Sequence, residues 1–531
     1  MSRARFFQAL AAGGLVALFG CGADSSPPPN LPGPTTAHPA DLPPPPPSAP
    51  RVQGPAHVSL RTPDARVVAI RIAFATGSAD DPASREGLTK LTATMMAEGG
   101  TVALPYAELE AKLYPLAAAI ETNVERDETV FSATVPAAAL DRFYPLLRDV
   151  LLTPRFDDES FARLRARQTS DLTSQLRGAN DEELGKEALE ALLYADHPYG
   201  HPPVGTEHAL AATTLDDVKE HYARAFCRDR VTVGVAGGYP DGFDATVLSD
   251  LGKLKACDAD RAKLPDAPQL HGNRLLVVDK PGAPGTAISI GFPTPVTRAD
   301  QAEFPALLFA TDVLGLHRQS SGRLFNELRE KRGLNYGDYA YAEFFQQEGY
   351  ARAARTNVAR RQQMVSIWLR PVKRANADFA LRGALHFYSK LVEDGVSEAD
   401  FVRQREFLTR LVGLDQQTES RRLGFAMDDR TYGLDKPYAD LVRGGWKDLD
   451  PAKLKALMGK LLGTKDLAIA VVTSEGDAFA AELLKGDPAA IPAYDAPKPP
   501  EVQAEDKEIA RFPVPLDAKA VKVVKVGDLF K

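Results

Sequence analysis

The chain has 531 residues, 44% hydrophobic and 25% charged, an ordinary globular composition with room for about three to four domains. Its 64 Lys and Arg against 71 Asp and Glu leave a net charge of −7. That balance argues against a nucleic-acid binder, which needs a concentrated basic surface to displace counterions from phosphates. Three cysteines, at 21, 227 and 257, are too few for a disulfide-framework scaffold or a multi-cysteine metal module.

At the N-terminus, Arg3 and Arg5 precede an apolar stretch, Phe6 to Gly20, of signal-peptide length and too short for a stable membrane span. The string Leu18-Phe19-Gly20-Cys21 resembles the bacterial lipobox, whose cysteine is lipidated and becomes the new N-terminus. Plain secretion after cleavage near Gly20 is the alternative. Either way residues 1–20 act as a signal peptide, and their loss lowers the charge from −7 to −9. Between Pro27 and Pro55 lie 13 of the 41 prolines. Such a stretch cannot bury a core and runs as extended polyproline II, at about 3.1 Å per residue. Residues 21–54 therefore read as a tether from a lipid-anchored Cys21 to a folded body facing the periplasm of a bacterial envelope. No apolar run after residue 20 approaches the roughly 20 residues of a transmembrane helix, so a soluble body is expected. Export places Cys227 and Cys257 in an oxidising compartment, where they either bridge or stay as buried thiols.

The body repeats itself. Ile70-Arg-Ile-Ala-Phe-Ala-Thr-Gly77 returns as Ile288-Ser-Ile-Gly-Phe-Pro-Thr-Pro295, 218 positions later, each alternating like a strand. A helical pattern follows in both: Leu88, Leu91 and Met95, then Leu307, Leu308, Ala310 and Val313. Late in each half comes a further strand candidate, Val231 to Ala236 and Leu467 to Val472, with helical stretches such as Ser160 to Arg177 and Phe379 to Val392 between. Strands and helices mix without regular βαβ alternation. The expected fold is α+β: two tandem homologous domains, 55–260 and 272–480, each a mixed or antiparallel sheet with helices packed on one face. A linker at 261–271 and a Pro-rich tail at 481–531 complete the chain.

Several side chains have metal-like or ionic spacings. His197 and His201 stand four apart, but Pro198 and Gly200 between them predict a loop, where that spacing loses its meaning. Glu187 and Glu190 follow Asn180-Asp-Glu-Glu183 and read as a solvated helix face. Arg352, Arg355, Arg360 and Arg361 read as exposed surface of an acidic protein, and Gly237-Gly238 lacks the further glycine and lysine of a phosphate loop.

Three strings carry a family likeness. They are Gly77-Ser-Ala-Asp-Asp-Pro82 with Gly87-Leu-Thr-Lys-Leu-Thr-Ala-Thr-Met95, Val277-Val-Asp-Lys-Pro-Gly282, and Gly322-Arg-Leu-Phe-Asn-Glu-Leu-Arg-Glu-Lys-Arg-Gly-Leu-Asn-Tyr336. Together with the tandem halves they resemble the insulinase/pitrilysin family of zinc peptidases over residues 55 to 480. That family places His-x-x-Glu-His within the Gly87–Met95 frame: two imidazoles one helical turn apart grip zinc, and the glutamate is general base to zinc-bound water. Carried onto this chain, those positions are Lys90, Ala93 and Thr94, and the family's third ligand falls at Asp171. A cationic lysine repels zinc, alanine accepts no proton and threonine is a poor ligand, so the expectation is no metal bound by this chain. Lys90 is expected either to contact Asp171 in place of the ion or to lie at the surface.

The resemblance also implies that Arg329 and Tyr336 match an Arg/Tyr pair that positions the substrate carbonyl and supports its oxyanion. Purely structural roles, Arg329 on an acid and Tyr336 in a strand core, are the alternative. Some members of the family work as paired chains, one bringing zinc and the other the Arg/Tyr pair. This chain fits the second role: inactive alone as a peptidase, expected to pair with a zinc-bearing homologous subunit and to act with it on unfolded peptides. A non-enzymatic peptide-binding or assembly subunit of the cell envelope is the other reading.

Overall fold

Val67-Val-Ala-Ile-Arg-Ile-Ala-Phe74 is rich in β-branched residues, free of glycine and proline, and forms a strand buried from its second residue onward. The computed structural model describes residues 54–347 and 353–531 and builds this strand into the first of two sheets. The expected signal peptide, Cys21, all but the last residue of the expected tether and Arg352 lie outside the described residues.

The first sheet holds β1 (Ala56–Arg61), β2 (Val67–Phe74), β3 (Glu121–Val124), β4 (Thr129–Pro136) and β5 (Val231–Gly237) in the order β1-β5-β2-β4-β3. The second holds β6 (Arg274–Asp279), β7 (Thr286–Thr294), β8 (Asp338–Tyr341), β9 (Gln363–Val372), β10 (Ala468–Thr473) and β11 (Val521–Lys525) in the order β11-β6-β10-β7-β9-β8. Without β11 the two orders coincide. So do the directions: β1 with β5 and β6 with β10 run parallel, and the remaining shared pairs antiparallel. Arg71 pairs with Gly234 and Ser289 with Ala470, so equivalent strands pair in the same register, although the offset of 218 residues between β2 and β7 has grown to 236 between β5 and β10.

Alternation along β2 divides its side chains between two cores. Val68, Ile70, Ile72 and Phe74 pack with Phe143, Leu147 and Val150 of the helix Leu140–Leu152, from the same half. Ala69 and Ala73 meet Leu423 and Met427 of the helix Glu419–Tyr432, from the second half. Reciprocally, the helix Asp181–Leu193 of the first half lays Leu184, Ala188, Leu189 and Leu193 on Val278, Ala287, Ala470 and Val472 of the second sheet. Each half thus has its own helices on one sheet face, as expected, and one helix lent by the other half on the opposite face. Strands apolar on both sides require such cover, because a bare face would leave those side chains in water. Each leucine so buried contributes about 1.5–3 kcal/mol. Side-chain caps fix where the exchanged helices begin: Asn180 accepts from the Glu183 N–H, and Thr418 from that of Arg421.

Beyond residue 480 the chain is more than a tail. The helix Pro500–Ala510 buries Val502 and Ile509, and β11 pairs in parallel with β6. The strand alternates poorly and carries Lys522 and Lys525, as a half-exposed edge strand does, which hid it among the prolines of the sequence. The C-terminus then returns to the first half, where Phe530 O accepts from Glu207 N and Gly527 O from Arg177. Cys227 and Cys257 are joined by a disulfide, with Cα atoms 5.2 Å apart. Among the described residues no helix is long and apolar enough to cross a membrane.

Candidate functional site

The helix Leu88–Glu98 carries Lys90, Ala93 and Thr94. Its start is held by Asp81, whose carboxylate accepts from the N–H groups of Gly87 and Thr89 and from the Thr89 hydroxyl. Burial pushes the Asp81 carboxyl up to about 7 although those hydrogen bonds oppose the rise. Gly87 has φ +97°, and a Cβ there would sit 2.8 Å from Val204 O, so only glycine lets the two segments cross. The i, i+4 spacing puts Lys90 and Thr94 on one helix face, while Ala93 is fully buried.

Burial lowers the pKa of the Lys90 ammonium, and Asp171 is the charge that opposes this most, followed by Glu125 and Glu187. The direct contact does not form: among the described residues no carboxylate oxygen comes within 4.0 Å of the ammonium. Asp171 acts on Lys90 through space from the first residue of a π-helical segment, Asp171–Ala179, that continues the helix Asp158–Ser170. Such segments are rare and concentrate at functional sites.

Beside Lys90 lies a buried ionic network that the sequence concealed. Arg126 Nη2 is 2.6 Å from Glu187 Oε2 and 3.1 Å from Glu190 Oε2, and Arg360 Nη1 is 2.8 Å from the same Glu190 oxygen. Arg360 also reaches Glu125 at 3.4 Å. The reading of Glu187 and Glu190 as a solvated face, and of Arg360 and Arg361 as exposed surface, is therefore corrected. The partners sit far apart in the chain, so no local pattern reveals them. Burial raises the pKa of the Glu187 carboxyl against the pull of Arg126. Asp127 is also enclosed; burial alone would raise its pKa, but Arg261 and Arg361 outweigh it and hold the group at about 2. Arg355 is half-buried.

Arg329 lies on a second π-helical turn, Phe325–Glu330. Its Nη1 donates to the Tyr336 carbonyl at 3.0 Å, and its guanidinium lies 4.5 Å from the Phe325 ring centre and 5.8 Å from that of Tyr336. Tyr336 is 77% exposed, so it fills no strand core. Glu330 is the acid nearest Arg329, at 3.6 Å. The structure thus brings Arg329 and Tyr336 together at the surface, one held by the backbone of the other.

Two family descriptions match the chain: "Insulinase (Peptidase family M16)" over residues 57–207 and "Peptidase M16 inactive domain" over 212–408. The chain belongs to the insulinase/pitrilysin family. It is 21% identical to an uncharacterized zinc protease, YmxG, of Bacillus subtilis, over 78% of this chain and 95% of that protein. It is equally 21% identical to a protein of Helicobacter pylori named a non-peptidase homolog, over 76% and 89%. Among solved structures, a peptidase M16 inactive domain from Pseudomonas fluorescens superposes with a TM-score of 0.67 at 21% identity, covering 79% of this chain and 95% of that one. A Helicobacter pylori protease does so with 0.67 at 16% identity, covering 80% and 98%.

Membership implies zinc, and this insulinase homologue does not fit it. An ammonium, a methyl group and a hydroxyl stand at the ligand and base positions, leaving the single carboxylate of Asp171. Among the described residues no group of three or more His, Cys, Asp or Glu is placed to hold a metal. His197 and His201 lie in the expected loop. His197 uses both ring nitrogens, on Pro265 O at 3.0 Å and Tyr199 N at 3.0 Å, and His201 turns Nδ1 to Pro202 O. Gly238 packs directly on the Ala65 carbonyl, a close backbone approach that accounts for the glycine pair.

Proposed function

We propose that this chain is an exported, lipid-anchored subunit that docks on a zinc-bearing homologue and lends Arg329 and Tyr336 to the hydrolysis of unfolded peptides. The observation that carries the reading is the pairing of Arg329 with Tyr336 on an exposed surface, in a chain whose motif helix offers zinc a lysine. A guanidinium and a phenol are donors that gain strength where water is excluded and negative charge develops, as on the oxyanion of an attacked carbonyl. Arg329 is held in place by the Tyr336 carbonyl and the Phe325 ring, so little reorganisation is needed when a partner closes over it. The inactive-domain description over residues 212–408 and the name of the Helicobacter relative support a role other than free-standing peptidase. The lipobox-like Cys21 supports attachment to an envelope membrane.

The test is peptide cleavage by this chain co-expressed with a zinc-bearing homologue. Arg329→Ala is expected to lower turnover by about 10²–10³, the usual loss for one oxyanion donor, with assembly intact. Unchanged turnover would favour the peptide-binding or assembly role instead. Stoichiometric zinc in the isolated chain, with chelator-sensitive hydrolysis, would overturn both.

A further inference from the structure

The helix Phe304–Gly315 is the second half's counterpart of Leu88–Glu98, and at the same 218-residue offset Asp312 takes the place of Thr94. Beneath it lies a cavity of about 130 Å³, lined among others by Asp312, Asp415, His317, Leu411 and Trp446. Asp312 is 8% exposed; its carboxyl takes no hydrogen bond and feels no cation among the described residues, only burial and the charge of Asp415. His317, 6% exposed, bonds the Tyr341 hydroxyl through Nδ1 at 2.7 Å and leaves a buried Nε2 without a partner.

We propose that this cavity binds a small apolar primary amine, with its ammonium between Asp312 and Asp415 and its body against the aromatic wall. Two like-charged carboxyls in one buried site cannot both ionise cheaply, and a monocation relieves that conflict. Arg298 is held by Glu343 at 2.7 Å and Asp428 at 3.4 Å. Arg421 donates to the carbonyls of Asp415 and Ala354, and its charge draws the Asp415 carboxyl down against burial, so Asp312 is the carboxyl of the pair that no cation answers among the described residues. Tyr341, Phe345, Phe425, Tyr438 and Trp446 line the same space, and aromatic faces attract cations. His317 Nε2 offers an acceptor for one ammonium N–H once its proton sits on Nδ1. The volume matches a ring-sized ligand, since a dry cavity of roughly 150 Å³ holds benzene.

The test uses the full chain without any partner, so its result is independent of the pairing proposal. Benzylamine is titrated by calorimetry and by the fluorescence of Trp446, one of two tryptophans. Toluene supplies the same ring without charge, benzoate the opposite charge, and the peptide Phe-Gly-Gly an ammonium attached to a chain. Saturable binding of benzylamine at one site is expected, at least tenfold weaker in Asp312→Asn and in Asp415→Asn, with toluene and benzoate much weaker. Binding of Phe-Gly-Gly alone would keep the ammonium site and assign it to a peptide N-terminus. Toluene binding as tightly as benzylamine, equal affinity in folded Asn variants, or no saturation by either amine would overturn the proposal. Asp415 is half-buried, so its variant decides the matter if Asp312→Asn fails to fold.

Discussion

Arg360 of the second half and Glu190 of the first meet at 2.8 Å, each side chain 1% exposed. Glu190 stands on the exchanged helix Asp181–Leu193, so the pair pins that helix where it crosses between the two sheets. Breaking a buried pair from one side strands the other charge and typically costs 3–5 kcal/mol. Arg360→Met is therefore expected to shift the urea unfolding midpoint by a loss of about that size, partly offset because Arg126 still touches Glu190 at 3.1 Å. Arg360→Lys keeps the charge and loses the fork geometry, so it should fall between.

The same exchange makes two glycines unequal. A Cβ on Gly424, in the helix Glu419–Tyr432, would lie 2.0 Å from Thr356 Oγ1 and 2.6 Å from Thr356 Cβ, in a buried site that also holds Arg71. A Cβ on its counterpart Gly185 would be tight only against Ser289 Oγ, at 3.3 Å, where the serine can rotate away, and would meet Val472 Cγ2 at 3.7 Å in ordinary contact. Gly424→Ala is expected to destabilise by about 1–3 kcal/mol through overpacking. Gly185→Ala should be near neutral, helix propensity offsetting the tight contact. Thermal unfolding of the two variants side by side reads the difference.

Acid should loosen the junction at Asp127. Its carboxylate accepts from Arg361 Nη2 at 2.6 Å and Arg261 Nη2 at 2.9 Å, and from the Tyr199 hydroxyl, so it ties the first half to the linker and the second. The group titrates at about 2 in the folded chain against an ordinary 3.8. A depressed carboxyl stabilises the ionised fold: the contribution is full above pH ~4 and is lost as pH falls through ~2. At 1.36 kcal/mol per pKa unit the amount is about 2 kcal/mol. The stability gap between the wild-type chain and Asp127→Asn should accordingly be widest near neutrality and narrow between pH ~4 and ~2. A gap that stays constant over that range would contradict this assignment.

What was legible in the sequence was periodic or motif-bound. The repeat Ile70–Gly77 and Ile288–Pro295 gave two equivalent strands because alternation encodes a strand's faces, and the frame Gly87–Met95 was readable through its family likeness, which sets Lys90, Ala93 and Thr94 at the ligand and base positions. Long-range pairing was not legible. Arg360 opens the polar run Arg360-Arg-Gln-Gln363 and Glu190 follows the acidic start of its helix, and only tertiary exchange of the helix Asp181–Leu193 brings them into one buried cluster. Similarly, β11 is a short edge strand stabilised by a register with β6 that its own residues do not announce. Asp312 stands among the apolar residues of the helix Phe304–Gly315, where nothing in the local pattern singles it out, and its isolation follows from the cavity beneath it.

The Arg329 and Tyr336 pair should separate stability from activity. Tyr336 is 77% exposed, and Arg329 makes its hydrogen bond to a backbone carbonyl rather than to the phenol. Surface substitutions of this kind usually shift stability by no more than about 0.5 kcal/mol, so Tyr336→Phe should unfold like the wild-type chain. If the phenol supports an oxyanion inside a paired enzyme, the same variant should lower kcat by about 10²–10³ there, with assembly intact, because only the hydroxyl is gone. Arg329→Lys should lose turnover as well, since an ammonium lacks the planar fork that the Tyr336 carbonyl and Phe325 ring hold in place. Measuring urea midpoints of the isolated chain and steady-state hydrolysis by the pair on the same protein preparations reads both quantities. Equal turnover for both variants would remove the pair from the reaction, whereas a large stability loss in Tyr336→Phe would make it structural.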